Sequence, residues 1–269
     1  MTRRAGETAT VRAGLRSVHA EHRPGAPGRV PLLLCAGIGT SSALFGPLSA
    51  ELDPDRPLLL FDAPGIGRSA PAPVPYRLPS LARTVRAAAR RFGYDRVDVL
   101  GVSWGGGLAQ QYAFQYPQHC RRVVLVATGT GSLMVPAAPR TLGRMLTPRR
   151  HNDPDYARRI AGELYGGTAR SDGATVAELL HAGESGPPVV PYLFQLAALA
   201  GWTSLPFLPF IRQPTLVLIG DDDPLIPGIN GTIMTKLLGD GHLHRYRGGH
   251  LAIVSEPELL APVIDDFLR

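Results

Sequence analysis

Short apolar runs, each ending in a glycine-bearing loop, constrain this chain more than any other feature. "PLLLCAGIG" (31–39), "RPLLLFDAPGIGRS" (56–69), "RVDVLGVS" (96–103), "RRVVLVATG" (121–129) and "PTLVLIG" (214–220) share this form. They are short for helices and lack the alternation of a strand with one wet face. They therefore read as strands covered on both sides. Helical stretches lie between them: "ALFGPLSAEL" (43–52), "SLARTVRAAARRFGY" (80–94) with Ser80 as N-cap, and "GGLAQQYAFQYPQHC" (106–120). Strand–helix–strand repetition implies parallel order. An opening antiparallel pair is read around Thr10–Val18 and Arg29. The rhythm fails from about Gly131 to Arg212, which reads as helical and proline-interrupted. It resumes at "PTLVLIG", followed by a helix near Gly231–Leu238, the strand "HLHRYRG" (242–248) and a last helix, 257–269. The expected fold class is α/β, a mostly parallel doubly wound sheet. Residues 1–131 and 213–269 form its core, and a helical insertion, 132–212, follows the strand 121–129.

Composition removes several function classes. With 269 residues, 44% of them hydrophobic and 19% charged, the chain can bury a large core. Its net charge of +6 comes with no basic run and no basic helix face, so no nucleic-acid partner is expected. Two cysteines, Cys35 and Cys120, make no disulfide framework and no metal-ligand spacing, and both read as buried or half-buried thiols. The opening "MTRRAGETATVRAGLR" has charge but no apolar stretch behind it, which places the expected site of action in the cytoplasm. No charge occurs between Glu184 and Arg212, but Pro187, Pro188, Pro191, Pro206 and Pro209 break that stretch, so no membrane span is expected.

Four glycines crowd one serine in "VLGVSWGGGLAQ" (99–110). Gly101-Val102-Ser103-Trp104-Gly105 fits G-x-S-x-G between a strand and a helix. That is a sharp turn which lifts the hydroxyl clear of the sheet. Gly101 and Gly105 flank the turn where side chains would collide, and Gly106 and Gly107 let the helix start close to neighbouring strands. By itself the pentapeptide also fits an ordinary glycine-rich turn. A serine is a weak nucleophile until a base takes its proton, so an acid and then a histidine must follow.

Histidines in other settings are set aside. His19 and His22 precede the sheet, His119 ends a helix, His151 and His181 lie in the insertion with surface roles, and His242 and His244 share one strand face. His250 stands in the loop "GGHLAIV" after the last strand, where Gly248 and Gly249 give freedom to bring an imidazole over the sheet edge. The acid should leave the preceding strand, and Asp221, Asp222 and Asp223 all do. Asp223, before a proline, is the choice; its two neighbours brace the loop or face water. The end of the strand 121–129 offers no carboxylate before Asp153. Asp62 comes too early in the chain and reads as a loop brace. Two N–H donors complete an acyl-transfer site: that of Trp104, after the nucleophile, and that of Ile38, in the "AGIGT" loop.

Serine, acid and histidine in this order resemble the α/β-hydrolase superfamily over essentially the whole chain. "GVSWGGGLAQQYAFQYPQHCRRVVLVAT", "TPRRH", "LYGG", "GWTS" and "QPTLVLIGDDDPLIPGIN" further resemble the intracellular medium-chain-length polyhydroxyalkanoate depolymerases. That resemblance puts the nucleophile on Ser103, the acid on Asp223 and the base on His250. It implies hydrolysis of a polyester without metal or cofactor. The chain departs from the family's pattern at Ala36, where Asn is expected, and in "VVPYLFQLAALA", where more aromatic residues are expected. Tyr192, Phe194, Trp202, Phe207 and Phe210 of the insertion line a substrate channel, touch the surface of a storage granule, or form the insertion's own core. The competing reading keeps the triad and changes the substrate: a carboxylesterase, lipase, thioesterase or perhydrolase acting on small soluble acyl compounds. A non-catalytic receptor that keeps the pocket is a third.

Overall fold

A computed structural model describes residues 6–181 and 186–269. Its sheet has eight strands: β1 (Glu7–Ala13), β2 (Arg16–Arg23), β3 (Leu32–Cys35), β4 (Leu58–Phe61), β5 (Val97–Val102), β6 (Cys120–Val126), β7 (Thr215–Gly220) and β8 (Gly241–Tyr246). Their order is β1-β2-β4-β3-β5-β6-β7-β8. β1 and β2 form an antiparallel hairpin that turns at Gly14, φ +62°, and β2 joins β4 antiparallel. From β4 to β8 all pairings are parallel.

The unbroken apolar runs have the expected cause. Leu33, Cys35, Val97, Val99, Val123 and Leu125 pack under the helices Leu78–Arg91 and Trp104–Gln115. Leu32, Leu34, Leu100, Val102, Val124 and Val126 pack on the other face, against Phe45, Leu48, Ile253, Leu260 and Ile264. Each fully buried aliphatic side chain contributes about 1.5–3 kcal/mol, so a sheet covered twice needs no alternation. Asp98, fully buried in β5, is held by Arg121 at 2.8 and 2.6 Å and by Arg56 at 3.6 Å. Both cysteines are free and buried, and burial pushes their thiol pKa values up.

Several local expectations change. The second helix starts at Leu78, two residues early, because Arg77 is the N-cap residue and Pro79 suits the first turn. Ser80 is its third residue; its hydroxyl accepts from Arg77 N at 3.3 Å and donates to Arg77 O at 2.8 Å. The helix after Ser103 ends at Gln115, since Pro117 cannot continue it. His19 and His22 are inside the sheet, on β2, where His22 bonds the Tyr94 hydroxyl at 2.9 Å. Arg29 lies outside any strand.

Register sets where function can gather. Cys35 is level with Gly101, Val102 with Val126, Val126 with Leu218, and Leu218 with His244. The loops that follow β3, β5, β6, β7 and β8 therefore open at one edge. Between β6 and β7 run the helices Pro139–Met145, Arg149–Asn152, Pro154–Tyr165, Gly173–His181 and Val189–Leu199. The segment is pinned at its base: Gly131 bridges Thr203, Ser132 N donates to Trp202 O at 2.8 Å, and Ser204 N donates to Thr130 O at 2.9 Å. Among the described residues no helix is long and apolar enough to cross a membrane.

Candidate active site

Ser103 occupies the turn between β5 and its helix with φ +53° and ψ −116°, a conformation that costs a non-glycine residue about 1–3 kcal/mol. Its surroundings enforce the strain. Ser103 N donates to Val126 O at 2.9 Å, and Ser103 O accepts from Gly106 N at 2.9 Å and Thr128 Oγ1 at 2.7 Å. A Cβ on Gly101 would lie 2.3 Å from Gly105 O, one on Gly105 2.1 Å from Cys35 O, and one on Gly106 2.4 Å from Thr128 Oγ1. Gly107 differs from expectation: its nearest neighbours are Trp202 and Leu199 of the insertion and Leu78 of a helix, not strands.

Asp223 and His250 meet across the ends of β7 and β8. His250 Nδ1 bonds Asp223 Oδ2 at 2.8 Å, with side chains 4% and 2% exposed, respectively. The other carboxylate oxygen accepts from Leu225 N and Ile226 N, both at 2.9 Å, which locks its orientation. An acceptor at Nδ1 holds the proton there and leaves Nε2 free to act as a base. Ser103 and His250 share the edge, but the serine hydroxyl makes no hydrogen bond to the imidazole in this structure. Contacts of this kind commonly tighten only with substrate in place.

The neighbouring carboxylates brace. Asp221 accepts from Gly248 N at 3.0 Å. Asp222 accepts from Gly167 N at 2.7 Å and pairs with Arg170 through two 2.6 Å bonds, and that guanidinium contact holds its carboxyl below the usual range. Asp62 receives Ser42 N at 2.8 Å and Arg68 N at 2.9 Å.

The "AGIGT" loop is a tight turn: Gly37 O accepts from Thr40 N at 3.3 Å and from Thr40 Oγ1 at 2.9 Å. Gly39, φ +75°, is its left-handed residue. A Cβ there would fall 2.6 Å from His151 Nε2 and 3.1 Å from the Tyr192 ring, so the insertion closes directly over this loop. Ile38 is buried, and its N–H has no acceptor among the described residues. Trp104 is the first residue of its helix, where a backbone N–H has no intrahelical acceptor.

The insertion's aromatic residues divide. Tyr192 is fully buried; its hydroxyl donates to Met145 O at 2.6 Å and accepts from Arg150 Nη1 at 2.8 Å. Trp202 Nε1 donates to Gln111 Oε1 at 2.8 Å, and its ring meets Phe207 edge-on at 5.8 Å. Phe207 stacks on Phe114 at 4.5 Å, and half-buried Phe194 packs against the core. Phe210 is 62% exposed. The side chain of His181 lies outside the described residues.

Residues with no obvious sequence signature also reach the site. His151 is not on the surface; it is 3% exposed, beneath Gly39. Arg150 is 2% exposed without a carboxylate partner among the described residues. Its Nε donates to the Tyr165 hydroxyl at 3.1 Å. Tyr165 O accepts from His250 N at 2.7 Å, and its ring stacks on the imidazole at 6.2 Å and 19°. Burial pushes the Tyr165 phenol pKa up, keeping it a neutral hydrogen-bonding group. In the sequence Arg150 is one of two adjacent arginines, and nothing marks which is buried. Gln195 had one faint signal, as the single amide in the charge-free stretch.

Comparison with known proteins gives the family. A family model described as alpha/beta hydrolase fold matches residues 30–257. A poly(3-hydroxyalkanoate) depolymerase of Ectopseudomonas oleovorans is 42% identical over 97% of this chain and 92% of its own length. Among solved structures, a hydrolase from Pseudomonas aeruginosa PA01 superposes with a TM-score of 0.82 at 23% identity, covering 98% of this chain and 99% of its own. A thermophilic esterase from Thermogutta terrifontis gives 0.81 at 20% identity, with 99% and 98% covered. At these identities the two structures speak to fold.

Proposed function

This chain belongs to the α/β-hydrolase fold family, and from that premise we propose that it is a serine hydrolase that cleaves the ester bonds of an apolar polyester, an intracellular medium-chain-length poly(3-hydroxyalkanoate). The observation that carries the chemistry is the buried Asp223–His250 pair, which opens on the same sheet edge as the strained Ser103. The polymer rests on the 42% identity to the depolymerase.

The Ser103 oxygen adds to the ester carbonyl carbon while its proton passes to His250 Nε2. Asp223 holds the imidazole and stabilises its cationic form. The oxyanion lies between the N–H groups of Ile38 and Trp104, and one such donor typically lowers the barrier by about 3–4 kcal/mol. The carbon–oxygen bond to the alcohol end breaks, and that oxygen takes the proton from His250. Water then attacks the acyl-enzyme with His250 as base, which releases a 3-hydroxy acid or short oligomer and restores Ser103.

Residues 132–212 act as a cap over this edge. The helix Val189–Leu199 turns Tyr192, Gln195 and Ala198 inward, while Val189, Val190 and Leu193 are 56%, 57% and 45% exposed on its other side. That exposed apolar side of the helix meets the polymer or granule surface. The protein works in the cytoplasm, at or near the granule.

Purified protein should clear a latex of medium-chain polyester and release 3-hydroxy acids, with less clearing of a short-chain polyester. Hydrolysis of soluble p-nitrophenyl esters without clearing of either latex would replace the polymer with a small acyl substrate.

A further inference from the structure

The turn Gly37–Thr40 leaves two backbone N–H groups outside its own hydrogen bonding, those of Ile38 and Gly39. If both pointed at solvent the turn would be free to rock, and Ile38 would be a poorly aimed donor. One of the two is taken. Gly39 N donates to Gln195 Oε1 at 2.8 Å, a buried contact across 156 positions of chain. The same residue also holds the side chain of Trp104, whose backbone N–H is the second donor: Trp104 Nε1 donates to Gln195 O, also at 2.8 Å and also buried. Gln195 is 1% exposed and stands on the cap helix Val189–Leu199.

We infer that Gln195 is a positioning residue that ties down both segments carrying the oxyanion donors, its side chain through Gly39 N of the Ile38–Gly39 turn and its backbone carbonyl through the Trp104 indole. This rests on Ile38 and Trp104 being those donors. The amide orientation follows from chemistry, because only the oxygen can accept from Gly39. Its Nε2 is then a buried donor without an acceptor among the described residues, a burden on stability of the kind folds retain for function. A glutamine kept here for packing alone would be better replaced by an apolar residue of the same shape. Gly39 has no side chain to hold it and a left-handed φ, and a Cβ there would meet His151 and Tyr192. The hydrogen bond to Gln195 is what fixes the direction of the peptide. The cap thereby completes the oxyanion site rather than only roofing it.

The test compares Gln195→Met, which keeps the shape and removes the side-chain acceptor while leaving the backbone carbonyl on Trp104, with Gln195→Glu, which restores a side-chain acceptor. The full chain is assayed on a soluble p-nitrophenyl ester, and its inactivation rate by a p-nitrophenyl phosphonate is measured. The expected result for the Met variant is a fall in kcat on the order of 10- to 100-fold, with KM within about twofold. Phosphonylation should slow in parallel, and the Glu variant should recover most of both. A Met variant with kcat within about twofold of the parent, a loss confined to KM, or a Glu variant as impaired as the Met one would each overturn the clamp. If the Met variant does not fold, Trp104→Phe removes the second contact alone. A several-fold fall in kcat at constant KM then supports the inference, and an unchanged kcat overturns it. Ser103→Ala separates the two levels: activity retained there removes the serine mechanism itself, whereas an inactive Ser103→Ala beside a fully active Gln195→Met removes only the clamp.

Discussion

Two glycine clusters at the site do opposite jobs. Around Ser103 the glycines give way mostly to the elements that build the turn: Gly101 to Gly105, Gly105 to the end of β3, and Gly106 to Thr128, two residues past β6. Around His250 the glycines of core and insertion give way to one another. A Cβ on Gly249 would sit 2.2 Å from Tyr165 O, one on Gly167 2.2 Å from Gly249 N, and one on Gly166 1.8 Å from Asp222 O. The first cluster lets a strand and a helix form one strained corner. The second lets backbones from the cap and the core interlock without side chains between them. Ser103 is thus held by the sheet, while His250 is held by sheet and insertion together, through Tyr165 O and the Asp222–Gly167 contact.

The largest effect should come from breaking the first cluster at its centre. Ser103→Gly removes the hydroxyl, and activity on a soluble ester should fall at least about 1,000-fold. The same change relieves the positive φ, so urea unfolding should show a gain of about 1 kcal/mol after the entropic cost of glycine. A loss of stability would mean that Ser103 is not strained. Next is Gly249→Ala, which drives a wedge between the His250 loop and the cap. It should lower kcat by about 100-fold through misplacement of the imidazole, together with a lower Tm. Unchanged kcat with a lower Tm would show that the interlock stabilises without aligning.

The smallest effect concerns the Asp222–Arg170 pair, whose side chains are 40% and 52% exposed. The folded-state pKa of Asp222 lies below its ordinary value of 3.8, so its contribution is present above that value and lost as pH falls through the lower, folded one. Exposure limits it to about 0.5 kcal/mol. Asp222→Asn should therefore cost little at pH 7 and nothing near pH 2, as measured by urea unfolding. A difference that grows towards acid would reverse the sign and sink this account.

The parallel sheet was legible because buried strands leave unbroken apolar runs, and the Ser103 corner because a tight turn needs glycines beside it in the chain. Chain order singled out His250, and the proline beside Asp223 favoured it over two adjacent carboxylates. Neither signal states a distance; the 2.8 Å contact between them is a tertiary fact. His151 was misread as a surface residue because a short, proline-broken stretch has no clear helical face. Ser80 was misread as a cap because Arg77 is an unusual N-cap residue. Gln195, Arg150 and Tyr165 act through partners 15 to 156 positions away, and no spacing rule reaches that far.

Local chemistry in the sequence was thus enough to determine the element types, the sheet edge where loops gather and the sharp turn that carries Ser103. Only the tertiary structure decided how the cap meets that edge: which polar side chains of the insertion are buried, and which backbone groups they hold. The reason is physical. Strand burial and sharp turns are governed by residues next to one another in the chain, whereas aiming a hydrogen bond to within a few tenths of an ångström depends on groups that become neighbours only after folding.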